Sequence, residues 1–503
     1  MKIYLRKSLL IIATAIAVAS CGADISGSLD KDGDPGTADF SMFLAIGDSL
    51  TAGYADGALY RQIQQNSLPY ILAQQFALAG GGKMNQPLMP KDATGSLTFD
   101  AGGGPIDLGR PDRLMLGATG DPASPASPEI IKPTKTTAIE VRVSGAGTFN
   151  NMGIPGAKSF HLGPLPSGYG ELTIAAIAGG TSNPYYARFA SSDVATVLGD
   201  ALAQVPTFFT LWIGNNDILL YALDGGATQN AVPPYGTAST DVTAPAMFTA
   251  AYNGAVAALT AMPGTQGLLI NIPDVATIPH FTTVPYNPIP MSAADATGAN
   301  GAYAPYNAGL NLALGFITQT EIDQRTITFK KGDNNALVIT DENLTTVPGL
   351  PSIRQATKKD FVLLPASSKI GTEAVPGTPT SIWGVGVALL DGDVLTQFEY
   401  NQIETARKAY NKTIKAAANA DPDLLFLDVD ALLVELNESG ISYGSGGVSS
   451  TFGQGGAFSL DGVHPTARGY AVIANEIFKV INEGFDAYIP PVDPGEYTTV
   501  FYQ

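Results

Sequence analysis

The chain is poor in cysteine and in charge, and each shortage excludes a class of protein. Its single cysteine, Cys21, cannot form a disulfide within the chain, so the fold must depend on its hydrophobic core. Charged residues make up 14% of the chain and hydrophobic residues 45%, which excludes a disordered protein. Acidic residues outnumber basic ones by 45 to 27, so the positive charge that nucleic-acid binding requires is missing.

The N-terminus has the pattern of an export signal. Three basic residues precede the apolar stretch Leu9–Ala19, which is too short to span a membrane. The stretch leads into Ser20–Cys21 and resembles a bacterial lipoprotein signal, in which the cysteine becomes the lipidated first residue. The resemblance implies a signal peptide at 1–20 and a lipid anchor on Cys21 that holds the protein to a membrane of the cell envelope, expected to be the outer membrane. An ordinary secretory signal with a chance cysteine is the alternative.

Composition divides the remaining chain into a tether, one large domain and a tail. Residues 21–40 are rich in Gly, Ser and Asp and are predicted to be a flexible tether. Asp30 opens a stretch that resembles a calcium loop, but an EF-hand needs Glu at the position of Ser41. Residues 41–490 are predicted to form the domain, with loop-rich insertions near 80–145, 222–245 and 275–390 that wall the mouth of a site. Residues 491–503 form a C-terminal tail.

Short apolar runs alternate with helical patterns along the domain, which predicts an α/β fold with about five parallel strands. The predicted strands are Phe43–Ile46, Thr148–Met152, Phe208–Ile213, Leu268–Ile272 and Leu424–Val429. The predicted helices are Leu68–Leu78, Asp193–Gln204, Ala246–Met262, Tyr306–Ile322, Gln397–Ala420 and Ala467–Asn482. Ligands of parallel sheets bind beyond the carboxyl ends of the strands, and Ser49, Gly156 and Asn216 each follow a predicted strand there.

Two segments at opposite ends of the domain supply the parts of a nucleophilic site. Ser49 follows the first apolar run, at a strand-to-helix turn, and His464 comes three residues after Asp461. A serine nucleophile needs a base to accept its proton, and the base needs a group that orients it. The Asp–His spacing allows both side chains to lie on one turn and form a hydrogen bond. The pattern therefore predicts a serine hydrolase.

Four sequence blocks in order resemble the SGNH, or GDSL, hydrolase family. They are Gly47–Asp48–Ser49–Leu50, Asn151–Met152–Gly153–Ile154–Pro155–Gly156–Ala157, Gly214–Asn215–Asn216–Asp217 and Asp461–Gly462–Val463–His464. The resemblance implies the flavodoxin-like three-layer α/β/α SGNH fold, with large loop insertions. The insertions make the chain longer than compact members of the family, which leaves the substrate pocket open.

The resemblance also implies a role for each site residue. Ser49 is the nucleophile, His464 the general base and acid, and Asp461 the residue that fixes the imidazole tautomer. The oxyanion hole consists of the backbone N–H groups of Ser49 and Gly156 and the side-chain amide of Asn216. Glycine allows a close backbone approach to the oxyanion, and asparagine donates from a neutral group. No metal or cofactor is implied.

Each of these residues also has a structural interpretation. Ser49 could cap a helix, Gly156 could be needed for its φ angle, and Asn216 could close a turn. Asp217 is expected to brace that turn. Ser442 lies in Gly440–Ile441–Ser442–Tyr443–Gly444, which fits the nucleophile elbow of α/β-hydrolases, but it follows a helical pattern instead of a strand and is interpreted as a chance match.

Three functions remain open on the sequence alone. The first is a membrane-anchored ester hydrolase of the lipase or esterase type, in which apolar insertions form an acyl-binding cleft. The second is a carbohydrate O-acetyl esterase, whose exposed aromatic residues Tyr185, Tyr186 and Trp383 would stack on sugars. The third is a non-catalytic surface lipoprotein that binds a polymer. The expected partner is an acylated lipid, a small ester or an acetylated glycan.

Overall fold

The computed structural model describes residues 33–91, 96–100, 105–107, 113–118, 128–131, 136–139, 142–163, 171–227, 236, 238–444 and 446–501. The predicted signal peptide and Cys21 lie outside these residues, as do parts of the insertions near 80–145 and 222–245. Among the helices in these ranges, none is both long and apolar enough to cross a lipid bilayer.

The five apolar runs form one central sheet. Its strands are β1 (Phe43–Gly47), β2 (Asn151–Gly153), β3 (Phe208–Trp212), β4 (Gln266–Ile270) and β5 (Leu424–Leu427). All neighbours pair in parallel in the order β5-β4-β3-β1-β2, which is the strand order of flavodoxin. Every residue of the first four strands is buried, as expected for a parallel sheet covered on both faces. The α/β prediction with five parallel strands is confirmed.

Helices cover this sheet in two packed groups, which is consistent with three layers. The helices used in the description below are α1 (Ser49–Ala52), α2 (Leu68–Phe76), α3 (Asn216–Leu223), α4 (Pro245–Leu259), α5 (Gln397–Asn419), α6 (Val429–Glu438) and α7 (Ala467–Gly484). α2 packs on α7, where the rings of Phe76 and Phe478 meet edge to face at 6.3 Å. α4 packs on α5 through the stacked rings of Phe248 and Tyr410, 4.1 Å apart.

The other elements lie mainly in the insertions and are short, except for the helix Ala293–Leu312, which has 20 residues. The remaining strands are Ser96–Asp100, Pro105–Asp107, Met115–Ala118, Pro128–Ile131, Thr136–Ile139, Ile289–Met291, Gly332–Asn335, Val338–Thr340, Ile353–Gln355, Phe361–Val362, Val394–Leu395, Ile441–Tyr443 and Gly446–Val448. The remaining α-helices are Arg61–Gln64, Ile174–Ala178, Pro184–Ala187, Val197–Leu202, Pro279–Thr282, Ala293–Leu312 and Gln319–Arg325. The 3-10 helices are Ala77–Ala79, Ser159–Leu162, Val275–Thr277, Leu364–Ser368, Asp391–Asp393 and Pro494–Glu496.

The insertion near 275–390 is more ordered than its composition indicates. It has two hydrophobic clusters of its own, one around Tyr306 and Leu310 and one around Leu337 and Ile339. The predicted helix Tyr306–Ile322 is wrong, because the chain forms Ala293–Leu312 and Gln319–Arg325 with a break at Gly315, whose φ is +97°. A left-handed glycine ends a helix, and the Ala- and Gly-rich sequence before it hides the apolar period.

Both ends of the described chain pack against the domain. The prediction of a flexible tether is wrong for residues 33–40, because Asp34 pairs with Tyr488 and Phe40 is buried in the core. At the other end, Arg468 Nε donates to the carbonyl oxygens of Pro494 and Tyr497, which fixes the C-terminal segment to α7. Gly, Ser and Asp composition indicated flexibility, but backbone pairing with Tyr488 and the burial of Phe40 hold the segment on the domain.

Helix α1 lies unusually close to the edge of the sheet. A Cβ atom at Gly153 would lie 2.1 Å from the backbone nitrogen of Ala52, and one at Gly47 would lie 2.2 Å from Oγ1 of Thr51, both in α1. Real Cβ atoms essentially never approach other atoms so closely, so both glycines are needed for close packing. These two contacts fix the position of the helix that begins at Ser49.

Gly153→Ala should lower the free energy of unfolding by about 1–3 kcal/mol or more, because the added methyl group forces α1 away from β2. The matched control is Gly254→Ala on the exposed face of α4, where a Cβ atom would meet nothing within 4 Å. That change should leave stability equal or raise it by up to about 1 kcal/mol. Urea unfolding measures both, and equal stabilities for the two variants would contradict the packing account.

Candidate active site

The register of the sheet brings three loops to one edge. Gly47 at the end of β1 pairs with Gly153 of β2 on one side and with Trp212 of β3 on the other. The strand order reverses at β1, which makes this edge the switch point where open α/β sheets bind ligands. The predicted residues that follow these three strand ends within four positions are Ser49, Gly156 and Asn216.

The structure joins Ser49, His464 and Asp461 in one hydrogen-bonded chain. His464 Nε2 lies 2.9 Å from Ser49 Oγ, although the two residues are 415 positions apart in the sequence. His464 Nδ1 lies 2.9 Å from Asp461 Oδ2. The ring of Tyr54 packs against the imidazole, with centroids 4.7 Å apart. A hydroxyl, a base and an orienting carboxylate therefore lie in the order that nucleophilic catalysis requires.

Asp461 is held as an acceptor by several donors. Its Oδ1 accepts from the backbone N–H groups of Val463 and His464 and from Ser459 Oγ, and its Oδ2 accepts from the backbone N–H of Gly57. Burial alone would raise the pKa of Asp461, but the charge and hydrogen bonds of His464 outweigh it and hold the pKa well below its ordinary value. The carboxylate stays ionised and fixes the imidazole.

A second carboxylate, Asp56, connects the Ser49 side of the site to the His464 loop. Its backbone N–H donates to Ser459 Oγ, and its Oδ1 accepts from the backbone N–H of Leu460. Tyr60 donates its hydroxyl to Asp56 Oδ2 at 2.6 Å, and Arg113 Nε lies 3.7 Å from the same oxygen. Sequence reasoning missed this network, because nothing near Asp56 in the sequence has the spacing of a known motif.

The structure separates the helix-capping role from the nucleophile. Asp48, not Ser49, caps α1, because its Oδ1 accepts from the backbone N–H of Leu50. Its Oδ2 accepts from the side-chain amide of Asn215 at 2.8 Å, which ties the first block to the third. Burial raises the pKa of Asp48 to about 6, against the opposing effect of these hydrogen bonds. The alternative that Ser49 is a helix cap is wrong, and its hydroxyl is left for His464.

Two backbone N–H groups that follow the ends of β1 and β2 are without a protein acceptor in the described ranges. They are the N–H groups of Ser49 and Gly156. Gly156 has φ +80°, and a Cβ atom there would meet nothing within 4 Å, so open space lies next to it. Asn216 Nδ2 donates to the carbonyl oxygen of Ala157 at 2.9 Å, which uses one of its two N–H groups. The second and third blocks are therefore in direct contact.

Asp217 braces the same junction, as the sequence predicted. Its two carboxylate oxygens accept from the backbone N–H and the hydroxyl of Ser159, at 2.8 and 2.7 Å. The other two histidines are not members of the hydrogen-bonded triad. His280 is buried, lies with its Nδ1 3.5 Å from the carbonyl oxygen of Asp461 and donates its backbone N–H to Gly462 O, and His161 Nδ1 accepts from the backbone N–H of Lys158. Burial lowers the pKa of both imidazoles, to about 4 for His161.

An apolar cavity of about 70 Å³ opens beside Ser49 and His464. Its polar wall residues are Ser49, Asn215, Asp274 and His464, and the indole N–H of Trp212 is already bonded to Asn271 O. The rest of the wall is hydrophobic and includes residues of α3, α6, the hairpin at 441–448 and α7, such as Ile218, Leu433, Leu436, Val448 and Ile473. The prediction that the insertions form this cleft is wrong for most of the wall, to which the described parts of the insertions contribute only Val275 and Ile278.

Comparison with known proteins gave no match to a protein-family model, to a curated protein or to a solved structure. The geometry of the site must therefore carry the functional argument without a relative.

Asp461→Asn should make stability less sensitive to acid. The folded state holds the pKa of Asp461 below its unfolded value of about 3.9, so its stabilisation is full above that value and is lost as the pH falls below it. The urea midpoint of the wild type should therefore fall further between about pH 5 and pH 3 than that of the variant. Asp423→Asn, at an exposed position, is the control and should follow the wild type. Equal slopes for wild type and Asp461→Asn would contradict the assignment.

Proposed function

We propose that this protein is a serine-dependent ester hydrolase of the lipase or esterase type, with the SGNH fold and site. The observation that carries the proposal is the chain of hydrogen bonds from Ser49 through His464 to Asp461 at the switch point of a parallel sheet. Asn215 binds Asp48 of the first block and Asn216 binds Ala157 of the second block, which supports reading the blocks as one site.

The reaction follows from the geometry. Ser49 Oγ attacks the ester carbonyl carbon while His464 Nε2 takes the hydroxyl proton, and Asp461 stabilises the imidazolium through Nδ1–H. The carbonyl oxygen becomes an oxyanion that accepts from the N–H groups of Ser49 and Gly156 and from the second N–H of Asn216. Collapse breaks the bond to the alcohol, which leaves with the proton from His464. Water then repeats the two steps on the acyl-enzyme and releases the acid.

The cavity beside Ser49 supports an acyl chain as the preferred substrate group. Small-molecule sites typically have mainly apolar walls with a few polar groups, and the lining of this cavity fits that description. Each buried CH₂ group contributes about 0.8 kcal/mol to binding, so such a cavity favours longer chains over acetate. The substrate class is therefore an ester of a medium or long acyl chain.

The O-acetyl esterase alternative depended on three exposed aromatic residues, and the structure does not show them as exposed. Tyr185 and Tyr186 were expected to be exposed, but both are buried in the core. Trp383 is half-buried and packs against Lys369, whose Nζ lies 4.8 Å from the ring centroid. The alternative of a non-catalytic polymer-binding lipoprotein gives no reason for the ordered Ser–His–Asp chain. Anchoring to the cell envelope through Cys21 remains part of the proposal and rests on the sequence alone.

Ser49→Ala should lower kcat for p-nitrophenyl ester hydrolysis by at least about 10⁴-fold, because it removes the nucleophile. The matched control is Ser442→Ala. Ser442 is exposed on the hairpin strand Ile441–Tyr443, outside any strand-to-helix turn, and its variant should keep wild-type activity. Undiminished activity in Ser49→Ala, or loss in Ser442→Ala, would refute the assignment of the nucleophile.

Leu433→Trp should shift the acyl preference toward short chains, because the larger ring fills the cavity lined by Leu433. We expect kcat/KM to fall about tenfold or more for p-nitrophenyl octanoate, because the octanoyl chain can no longer bury a few of its CH₂ groups in the cavity. For the acetate, kcat/KM should stay within about twofold. Val434→Trp, on the exposed side of the same helix, is the control. A parallel fall for both esters would argue against the cavity as the acyl site.

A further inference from the structure

Three carboxylates from separate segments meet away from the catalytic site. Glu342 follows the strand Val338–Thr340, Asp391 begins the 3-10 helix Asp391–Asp393, and Glu399 lies in the first turn of α5. One oxygen from each of the three lies within 4.8 Å of the other two. The sequence gives no hint of the cluster, because its members are 49 and 8 positions apart.

Each of these carboxylates has a buried oxygen without a hydrogen-bond partner. Glu399 is 1% exposed, and its Oε2 accepts from the backbone N–H and the hydroxyl of Thr396, which leaves Oε1 unpartnered. Glu342 Oε2 and Asp391 Oδ1 are also buried and unpartnered. Buried carboxylate oxygens without partners are costly, so the cluster needs a further group that supplies positive charge.

The nearby basic residues are already engaged elsewhere. Arg354 binds Asp341 at 2.6 Å and Asp360 at 2.8 Å, and Lys369 Nζ lies 2.5 Å from Asp393. Throughout the described ranges, no ion pair includes Glu342, Asp391 or Glu399. Burial, followed by hydrogen bonding to Glu342, raises the pKa of both Asp391 and Glu399. Among the described residues, no protein cation is paired with the three acids.

We propose that Glu342, Asp391 and Glu399 bind one calcium ion. Oxygens bound to the same Ca²⁺ at about 2.3–2.6 Å lie no more than about 5 Å apart, a condition the three carboxylates meet. The set contains only oxygen, which selects a hard cation and disfavours zinc or copper. Mg²⁺ usually keeps several waters and uses one or two carboxylates, so three carboxylates around a buried point favour Ca²⁺.

The position of the cluster gives the ion a structural role. The loop after α3 presses against it, because a Cβ atom at Gly226 would lie 2.6 Å from the carboxyl carbon of Glu399 and one at Gly225 would lie 2.7 Å from Asp391 O. Bound calcium would therefore connect three parts of the chain, which are the segment from Glu342 to Asp391, helix α5 and the end of α3. Helix α3 begins at Asn216. The inference stands on this cluster alone and is independent of the proposed hydrolase activity.

The test is calcium binding to the full mature chain after removal of metals with a chelator. Isothermal titration with CaCl₂ should give one site per chain, and about 1 mM CaCl₂ should raise the melting temperature, because the ion binds only the folded state. Glu399→Gln and Glu342→Gln should each weaken binding at least about tenfold and reduce the rise. Glu483→Gln, at an exposed position on α7, is the matched control and should bind as the wild type.

Three results would overturn the proposal. The first is the absence of stoichiometric Ca²⁺ binding to the wild type, which would mean that the acids share protons instead. The second is wild-type affinity in Glu342→Gln, whose side chain lies at the rim and whose replacement leaves the buried end of α5 intact. The third is tighter binding of MgCl₂ than of CaCl₂ in the same titration.

Discussion

The hydrogen bond between Ser49 Oγ and His464 Nε2 is the contact on which the account of this protein depends. It joins the first turn after β1 to the loop before α7, near the two ends of the domain. Neither loop could hold its side chain alone. The backbone N–H of Gly57 donates to Asp461, and Asp56 binds both Ser459 and Leu460, so the Ser49 side of the site directly fixes the His464 loop. The close approach of Gly153 to α1 fixes the other partner.

Buried carboxylates surround the site, and the structure satisfies each of them differently. Asp461 accepts hydrogen bonds from backbone N–H groups and from an imidazole. Asp217 accepts from Ser159, and Asp48 accepts from Asn215 and from a backbone N–H in the first turn of α1. These donors are short, fixed groups, so they orient the catalytic residues before a substrate binds. In the cluster at Glu399, one buried oxygen of each carboxylate has no donor, and this contrast is the physical reason for assigning a cation to it.

The sequence was sufficient for the central sheet and for the residues that meet in the triad. β1, β3 and β4 are buried on both faces, so their apolar runs are unbroken and easy to recognise. Ser49, Gly156 and Asn216 follow strand ends, and the parallel register of the sheet brings them to one edge. The hydrogen bond between Asp48 and Asn215 beside Ser49 was not predicted, because the sequence of a motif does not indicate which of its side chains bind each other.

Other features depend on contacts that sequence patterns do not record. The helix Ala293–Leu312 has a Gly- and Ala-rich sequence without a clear apolar stripe. Packing against the rest of the insertion near 275–390 stabilises it. The cavity wall combines residues of α3, α6 and α7 that are also plausible core residues, so only their spatial arrangement distinguishes a cavity from a packed interior. The segment 33–40 and the carboxylate cluster likewise depend on partners far away in the chain.

The most direct test of the central claim is covalent labelling with a p-nitrophenyl alkylphosphonate, followed by intact-mass and peptide mass spectrometry. If His464 activates Ser49, the wild type should acquire one phosphonate group, located on Ser49, and His464→Ala should react at least about 10³-fold more slowly. A label on another residue, or an equal rate in the two proteins, would contradict the account.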